Sequence, residues 1–431
     1  MSPKSSSIRE VKVPVSGLKL GMYVCRLDKE WIDSPFLFQG FLLDNEEIIA
    51  QLRHECTYVY VDANKEDFSL SKDKAPAKKL GFTIKSLFIK KDNSNIGNVK
   101  RENTHSLSEI VERRVSIEEI RPPKKLVAYD EEVRPAKQSH AKVSTLMQDF
   151  STQVKEGGNI GLFVAREAIF ECMSSVLRSP DAMQLVMRLK NKHLTSWQHS
   201  MNDSVLAISF GRYLNLNDDE LVTLGLCGLL HDIGNLRISK EELAQAEDKK
   251  ELIRTHPRLG YEILLNCPGE LSKTVAEVAY SHHERMDGSG FPRGLKGNQI
   301  SPYTRMITIV EVYNSLTNVR AEQKLTHYNA ITQMLARANT QFDETLLHCF
   351  HQCIGAYPVG CVVEMNTGEI AMVVETNEGL KLRPKIMLLT DADKEKCDKK
   401  VVNLAENDLD GDDDAYVIKK IVRPEKYGIT L

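Results

Sequence analysis

Two adjacent histidines at the end of an apolar-periodic segment, His282-His283, lead into Glu284, Asp287 and a Gly288-Ser289-Gly290-Phe291-Pro292 turn. This stretch constrains the chain more than any other. Imidazoles and carboxylates at such density are costly to bury unless a metal or partner neutralises them. Any fold that buries them must therefore bring further polar ligands to the same place. Candidates lie close by: His199 in an otherwise apolar helix, His231-Asp232 ahead of Gly234, His256 before Pro257, and Glu311 on the apolar face of Thr308-Ile309-Val310-Glu311-Val312-Tyr313. Taken singly, each has a bland reading, such as a helix cap or a helix-start histidine. Taken together, five histidines between positions 199 and 283 point to a metal site. Neutral imidazole and carboxylate suit Mn, Fe or Zn, and a carboxylate can bridge two ions.

The periodicity divides the chain. Residues 1–64 alternate like β structure around a helical stretch at 45–53, predicting a small α+β module. Residues 65–140, rich in Lys, Asp, Asn and Pro, predict a linker with a short amphipathic element near 106–120. Residues 141–355 hold a 3.6-residue period and predict an all-α bundle, with helices over 197–213, 252–265, 272–282 and 303–316. A further helix over 217–231 begins with an Asn217/Glu220 capping-box pattern and early acids, and Gly234 supplies its stop. Residues 356–431 return to short β runs at 361–364, 370–375, 385–389 and 415–418, predicting a small β module. The fold class expected is multidomain: a central helical bundle flanked in sequence by an α+β module and a β module.

A chain of 431 residues has room for two or three domains. Its net charge of −3 gives no field that would select a nucleic-acid polymer or a membrane, and no apolar run approaches the ~20 residues of a membrane span. Nine scattered cysteines without a CxxC pair fit reduced thiols in a cytoplasm. The acidic Asp408–Asp414 stretch misplaces its glycine for a calcium loop and reads as a surface loop. No Walker A, GxGxxG or GxSxG motif competes with the histidine cluster.

The motifs LLHDIG (229–234), THPRLGYEIL (255–264), HHERMDGSGFPRGLKG (282–297) and MITIVEVYNSLT (306–317) resemble the HD-GYP subgroup of the HD-domain phosphohydrolase superfamily. Residues 11–31 resemble an uncharacterised domain often found ahead of such bacterial modules. The resemblance implies an HD-type helical domain and two divalent ions, Fe or Mn foremost. Its implied metal ligands are His199, His231, Asp232, His256, His282, His283 and Glu311. Asp232 would bridge, with His199 and His231 on one side and His256, His282 and His283 on the other. The implied reaction is hydrolysis of a bacterial cyclic dinucleotide, c-di-GMP or 3′,3′-cyclic GMP-AMP, by attack of a metal-activated hydroxide on phosphorus, with His231 and Asp232 central to catalysis. Arg320 would hold phosphate through its planar fork.

This chain departs from the family pattern at several places. Asn235 replaces a lysine and Phe291 a tyrosine; both are expected at the substrate. Glu311 and Asn314 replace aspartates, and Thr195 stands where trinuclear members carry a glutamate, which favours two metals. These departures motivate an alternative: a catalytically weak cyclic-dinucleotide receptor or scaffold with a structural metal site. A homodimer, and a regulatory partner for the N-terminal module, complete the expectations.

Overall fold

A computed structural model describes residues 10–28, 41–43, 46–62, 106–112, 123–156, 162–190, 196–267, 270–317, 325–377, 379–406 and 416–429. Most of the 65–140 stretch, together with Thr195, Arg320 and the 408–414 acids, lies outside these residues. The chain forms two compact units, one within residues 1–99 and one within 100–430.

In the first unit, strands β1 (Glu10–Pro14), β2 (Tyr23–Leu27), β3 (Phe41–Leu42) and β4 (Tyr58–Asp62) pair antiparallel in the order β1-β4-β2-β3. Period-two alternation turns Val59 and Val61 inward, where Ile49 and Leu52 of helix α1 (Glu46–Glu55) complete the core. This is the α+β module expected.

The second unit carries the bundle: α2 (Leu107–Val111), α3 (Tyr129–Lys155), α4 (Leu162–Arg178), α5 (Pro180–Lys190), α6 (Ser196–Tyr213) and α7 (Asp218–Leu230), then α8 (Lys240–Gln245), α9 (Lys249–Ile253), α10 (His256–Leu265), α11 (Glu270–Ser281), α12 (Pro302–Thr317), α13 (His327–Leu335) and α14 (Glu344–Ile354). Helix α7 is its axis. Every residue from Leu221 to Leu230 is buried, as a helix apolar on all sides must be, and α4, α6, α11 and α12 pack around it. The Asn217 side chain accepts from the Glu220 N–H, as the capping pattern predicts. The return arm differs, because Glu220 accepts from the Asn217 amide and from the Leu107 N–H.

Helix α3 starts at Tyr129, inside the stretch read from composition as linker. Its stripe of Ala136, Val143, Met147, Phe150 and Val154 is buried, and Glu132 receives a bidentate pair of bonds from Arg178 at 2.7 and 2.8 Å. At the start of this helix Asp130, Glu131 and Arg134 are exposed, and buried Glu132 is held by its half-buried partner Arg178. The helix expected over 252–265 is broken at Arg254-Thr255, because Pro257 has no N–H to continue a helix from the preceding turn.

The C-terminal strands β5 (Val362–Met365), β6 (Ile370–Glu375), β7 (Lys385–Leu388), β8 (Val401–Asn403) and β9 (Ile418–Val422) form an antiparallel sheet in the order β8-β7-β6-β5-β9. Strand β8 was not foreseen, and the last strand starts three residues later than the run expected at 415–418. β8 is a short edge strand with Val401 exposed, too brief for alternation to register. The Thr376 N–H donates to Asp181 of α5 at 2.9 Å, tying the sheet to the bundle. None of the nine cysteines forms a disulfide. No helix among the described residues is long and apolar enough to cross a membrane.

Buried His327 braces this bundle as a neutral ring. Its Nε2–H donates to the Gly355 carbonyl at 2.9 Å and its Nδ1 accepts from the Tyr313 hydroxyl at 3.0 Å. Burial pushes its pKa down to about 4. The unfolded chain therefore takes up a proton here that the folded one refuses. The stability this ring contributes is full above about pH 6.5 and is lost as pH falls towards about 4. Urea titrations across that window should show wild-type stability falling with pH, and His327→Gln should flatten the slope. An unchanged slope would refute the assignment.

Candidate metal centre

Three helix ends and two helix faces meet here. His199 and Asp203 lie four residues apart on α6, so they share a face. His231 caps the C-terminus of α7 and Asp232 follows it. His256 opens α10, His282 and His283 follow the last residue of α11, and α12 brings Glu311 and Asn314.

The histidines share one device. His231 Nδ1 lies 2.9 Å from the Gly228 carbonyl, His256 Nδ1 2.7 Å from that of Ile253, and His282 Nδ1 2.9 Å from that of Ala279. A carbonyl can only accept, so each Nδ1 carries a proton, and in the neutral form of each ring the lone pair sits on the inward-facing Nε2. These lone pairs converge. His256 Nε2 lies 3.2 Å from His282 Nε2 and 3.3 Å from His283 Nε2.

Asp232 stands between two groups of rings. Its Oδ1 is 3.1 Å from His256 Nε2 and 3.7 Å from His282 Nε2, while its Oδ2 is 3.7 Å from His231 Nε2. Two sets of ligand atoms lie within 4.8 Å of one another: His256, His282 and His283, and His231, Asp232 and His282.

The protonation pattern follows from this crowding. Burial would raise the Asp232 carboxyl, but His231, His256 and His282 outweigh it and hold it well below the usual range. Burial, with the neighbouring rings, keeps His282 far below an ordinary histidine and brings His283 to about 3. His256 goes the other way: burial opposes its charge, yet its bond to Asp232 raises it. Lone pairs this close require a proton or a cation between them. A divalent ion fits the donor set of imidazole and carboxylate. His231 Nε2 and Asp203 Oδ2, buried without a hydrogen-bond partner among the described residues, make the same demand at a second position.

Glu311 sits half-buried on α12, where burial and the Asp232 charge raise its pKa, and its Oε1 accepts from Ser315 Oγ at 3.2 Å. Phe291 stacks on His283 with centroids 4.6 Å apart, and the Arg254 guanidinium lies 4.6 Å from the same ring. Asn235 lies half-buried in the turn after Asp232.

Three sequence readings need correction. Glu284 adds no ligand to the cluster: its buried carboxylate accepts from the Arg293 and Leu295 N–H groups at 2.7 and 2.9 Å and pins the loop. Asp287 likewise caps a turn, accepting from the Ser289 N–H at 2.9 Å. Gly234 is not the stop of α7, which ends at Leu230. It lies inside the 3-10 turn Ile233–Arg237, where a Cβ would meet the His256 carbonyl oxygen at 2.0 Å and the Gly260 nitrogen at 2.6 Å. Sequence reading also missed Asp203. The signal was present, since Asp203 stands one helical turn from His199 on an otherwise apolar face.

Family models match three stretches of the chain, overlapping the N-terminal module, the helical bundle and the C-terminal sheet. A family model for the HD domain matches residues 182–346, a domain of unknown function (DUF3391) matches 10–162, and a KOW domain associated with the HD domain matches 362–428. The cyclic di-GMP phosphodiesterase PA4108 of Pseudomonas aeruginosa is 29% identical over 388 residues, covering 88% of this chain and 85% of that protein. The 3′3′-cGAMP-specific phosphodiesterase 1 of Vibrio cholerae is 34% identical over 148 residues, 32% of this chain and 34% of its own length. Among solved structures, Bd1817, an HDG"Y"P protein from Bdellovibrio bacteriovorus, aligns over 80% of this chain and 99% of its own with 15% identity and a TM-score of 0.36.

The Gly234 contact is backbone on backbone, so neither side can yield as a flexible side chain would. Gly234→Ala should destabilise the protein by about 1–3 kcal/mol or more and displace His256. Denaturant unfolding together with metal content checks this; a variant matching wild type in both would sink it.

Proposed function

Because this chain belongs to the HD-GYP family of HD-domain, metal-dependent phosphohydrolases, we propose that it is a phosphodiesterase that opens a bacterial cyclic dinucleotide, with c-di-GMP its substrate, at a two-metal centre. The observation that carries the reading is Asp232. One carboxylate oxygen faces His256 and His282 and the other faces His231, the disposition of a bridging ligand. The side chains that would hold the ions are His199, His231, Asp232, His256, His282, His283 and Glu311. Bound there, divalent cations lower the pKa of water and offset charge on phosphoryl oxygens.

The rest of the chemistry belongs to the chain. The i−3 carbonyls of Gly228, Ile253 and Ala279 fix the ring tautomers, so no reorganisation is needed when charge develops. Buried His282 and the depressed His283 stay neutral, and their lone pairs remain available as pH falls below that of an ordinary histidine. Phe291, backed by His283, offers an aromatic edge for a base or ribose, and Arg254 beside it offers a guanidinium for phosphate. Asn235 gives an amide where a lysine would give charge, so neutralisation of the phosphate falls to the cations and the arginines. Arg320 keeps the phosphate-holding role that the resemblance implies.

The preference for c-di-GMP is supported by the Pseudomonas phosphodiesterase, which this chain matches along most of both lengths. The shorter match to the Vibrio cGAMP-specific enzyme keeps the mixed nucleotide as the comparison substrate.

Protein purified without oxygen and loaded with Mn or Fe should convert c-di-GMP to a linear dinucleotide, and Asp232→Asn should lower turnover by at least about 100-fold. Faster turnover of 3′,3′-cyclic GMP-AMP would reassign the substrate. Tight binding of either nucleotide without hydrolysis would favour the receptor reading.

A further inference from the structure

Asp203 has no part in the ligand set drawn from the family motifs, yet it occupies the most demanding position in the site. It is 0% exposed. Its Oδ1 accepts from the Asn314 amide at 2.9 Å, and the same amide nitrogen lies 3.2 Å from His199 Nδ1. Its Oδ2 has no hydrogen bond and points at two rings, 3.3 Å from His199 Nε2 and 3.9 Å from His231 Nε2. His231 Nε2 is itself 0% exposed and without a partner. The Asn314 amide can only donate, so the neutral His199 ring keeps its proton on Nε2 beside Oδ2, but no proton lies between Oδ2 and the His231 Nε2 lone pair. A buried carboxylate oxygen and a buried lone pair face each other, each costly to leave without a hydrogen bond.

The fold enforces this confrontation. A Cβ on Gly228 would come within 2.7 Å of the Ser204 Cα and 2.9 Å of the Asp203 carbonyl carbon. Only glycine lets α6 lie this close to α7, and that closeness sets Asp203 beside the His231 ring that caps α7. Asn314 then explains itself. An acid at that position would put a second carboxylate within 2.9 Å of Asp203 Oδ1, whereas the amide donates to it and aims Oδ2 at His231.

We propose that Asp203 is an additional metal ligand of this chain, its Oδ2 pairing with His231 Nε2 to hold one cation while Asn314 fixes its other oxygen. The proposal rests on the metal-centre reading above and adds a carboxylate to it. A hard oxygen donor at this position favours Mn or Fe in competition with softer ions.

Asp203→Asn keeps the shape and removes the charge. Metal content of the purified protein, with Mn affinity measured by competition against a chelating dye, should show about one ion fewer per chain or binding weaker by about 10- to 100-fold. Without metal, Asp203→Asn should unfold at or above the wild-type midpoint, because an unsatisfied buried carboxylate is gone. The rise in midpoint on adding Mn should shrink. A purely structural role predicts the reverse: a lower metal-free midpoint with unchanged stoichiometry and affinity, and that result would overturn the proposal. Asp203→Cys gives an independent reading. With Cd bound, the difference spectrum against wild type treated in the same way should show an added thiolate-to-metal charge-transfer band, equivalent to one thiolate per chain. Stoichiometric Cd binding with no such added band would also overturn it. A wild type that takes up no metal would remove the metal-centre reading as well, so the two failures are distinguishable.

Discussion

The centre depends on one repeated hydrogen bond, from a histidine Nδ1–H to the carbonyl three residues earlier. At His231, His256 and His282 the acceptor is a backbone carbonyl of the turn that leads into the histidine. A backbone carbonyl near the end of a helix lacks its usual N–H partner. The ring that satisfies it is fixed in tautomer and direction at once. The bond thus meets a need of the fold and turns each Nε2 inward. The bundle supplies the rest by bringing these helix ends to one point, where Asp232 balances the rings.

Convergence on that scale demands close backbone approach, and two glycines provide it. Gly234 lets the turn after Asp232 press against the start of α10, and Gly228 lets α6 lie on α7. The first sets His256 against Asp232; the second sets Asp203 against His231. In both places a methyl group would collide with backbone, so the active geometry is written partly in the absence of side chains. Glu284, next to the histidine pair, pins the 293–295 loop by accepting two of its N–H groups.

Much of this was legible in the residues. The 3.6-residue period, the Asn217 cap and the order of the histidines led to the helical bundle, and the same motifs marked His231, His256 and His282, whose rings lie around Asp232. Other features were hidden for physical reasons. Helix α3 was masked because its inward stripe is diluted by a charged outer face and a proline at Pro135. Glu284 and Asp287 looked like ligands because sequence cannot tell a carboxylate aimed at a metal from one that accepts backbone N–H groups. Asp203 carried a local signal in His199 one turn away, but the His231 ring that it faces lies in the next helix, which no local pattern reveals.

Sequence alone determined the types of donor and the helices that carry them, since periodicity and capping are local and are set by neighbours within one turn. Tertiary structure alone decided which donors meet, which oxygen of Asp232 faces which ring, and that Asp203 stands buried opposite His231. Those relations depend on the distance between helices, and that distance is set by packing at Gly228 and Gly234 across segments that no local pattern connects.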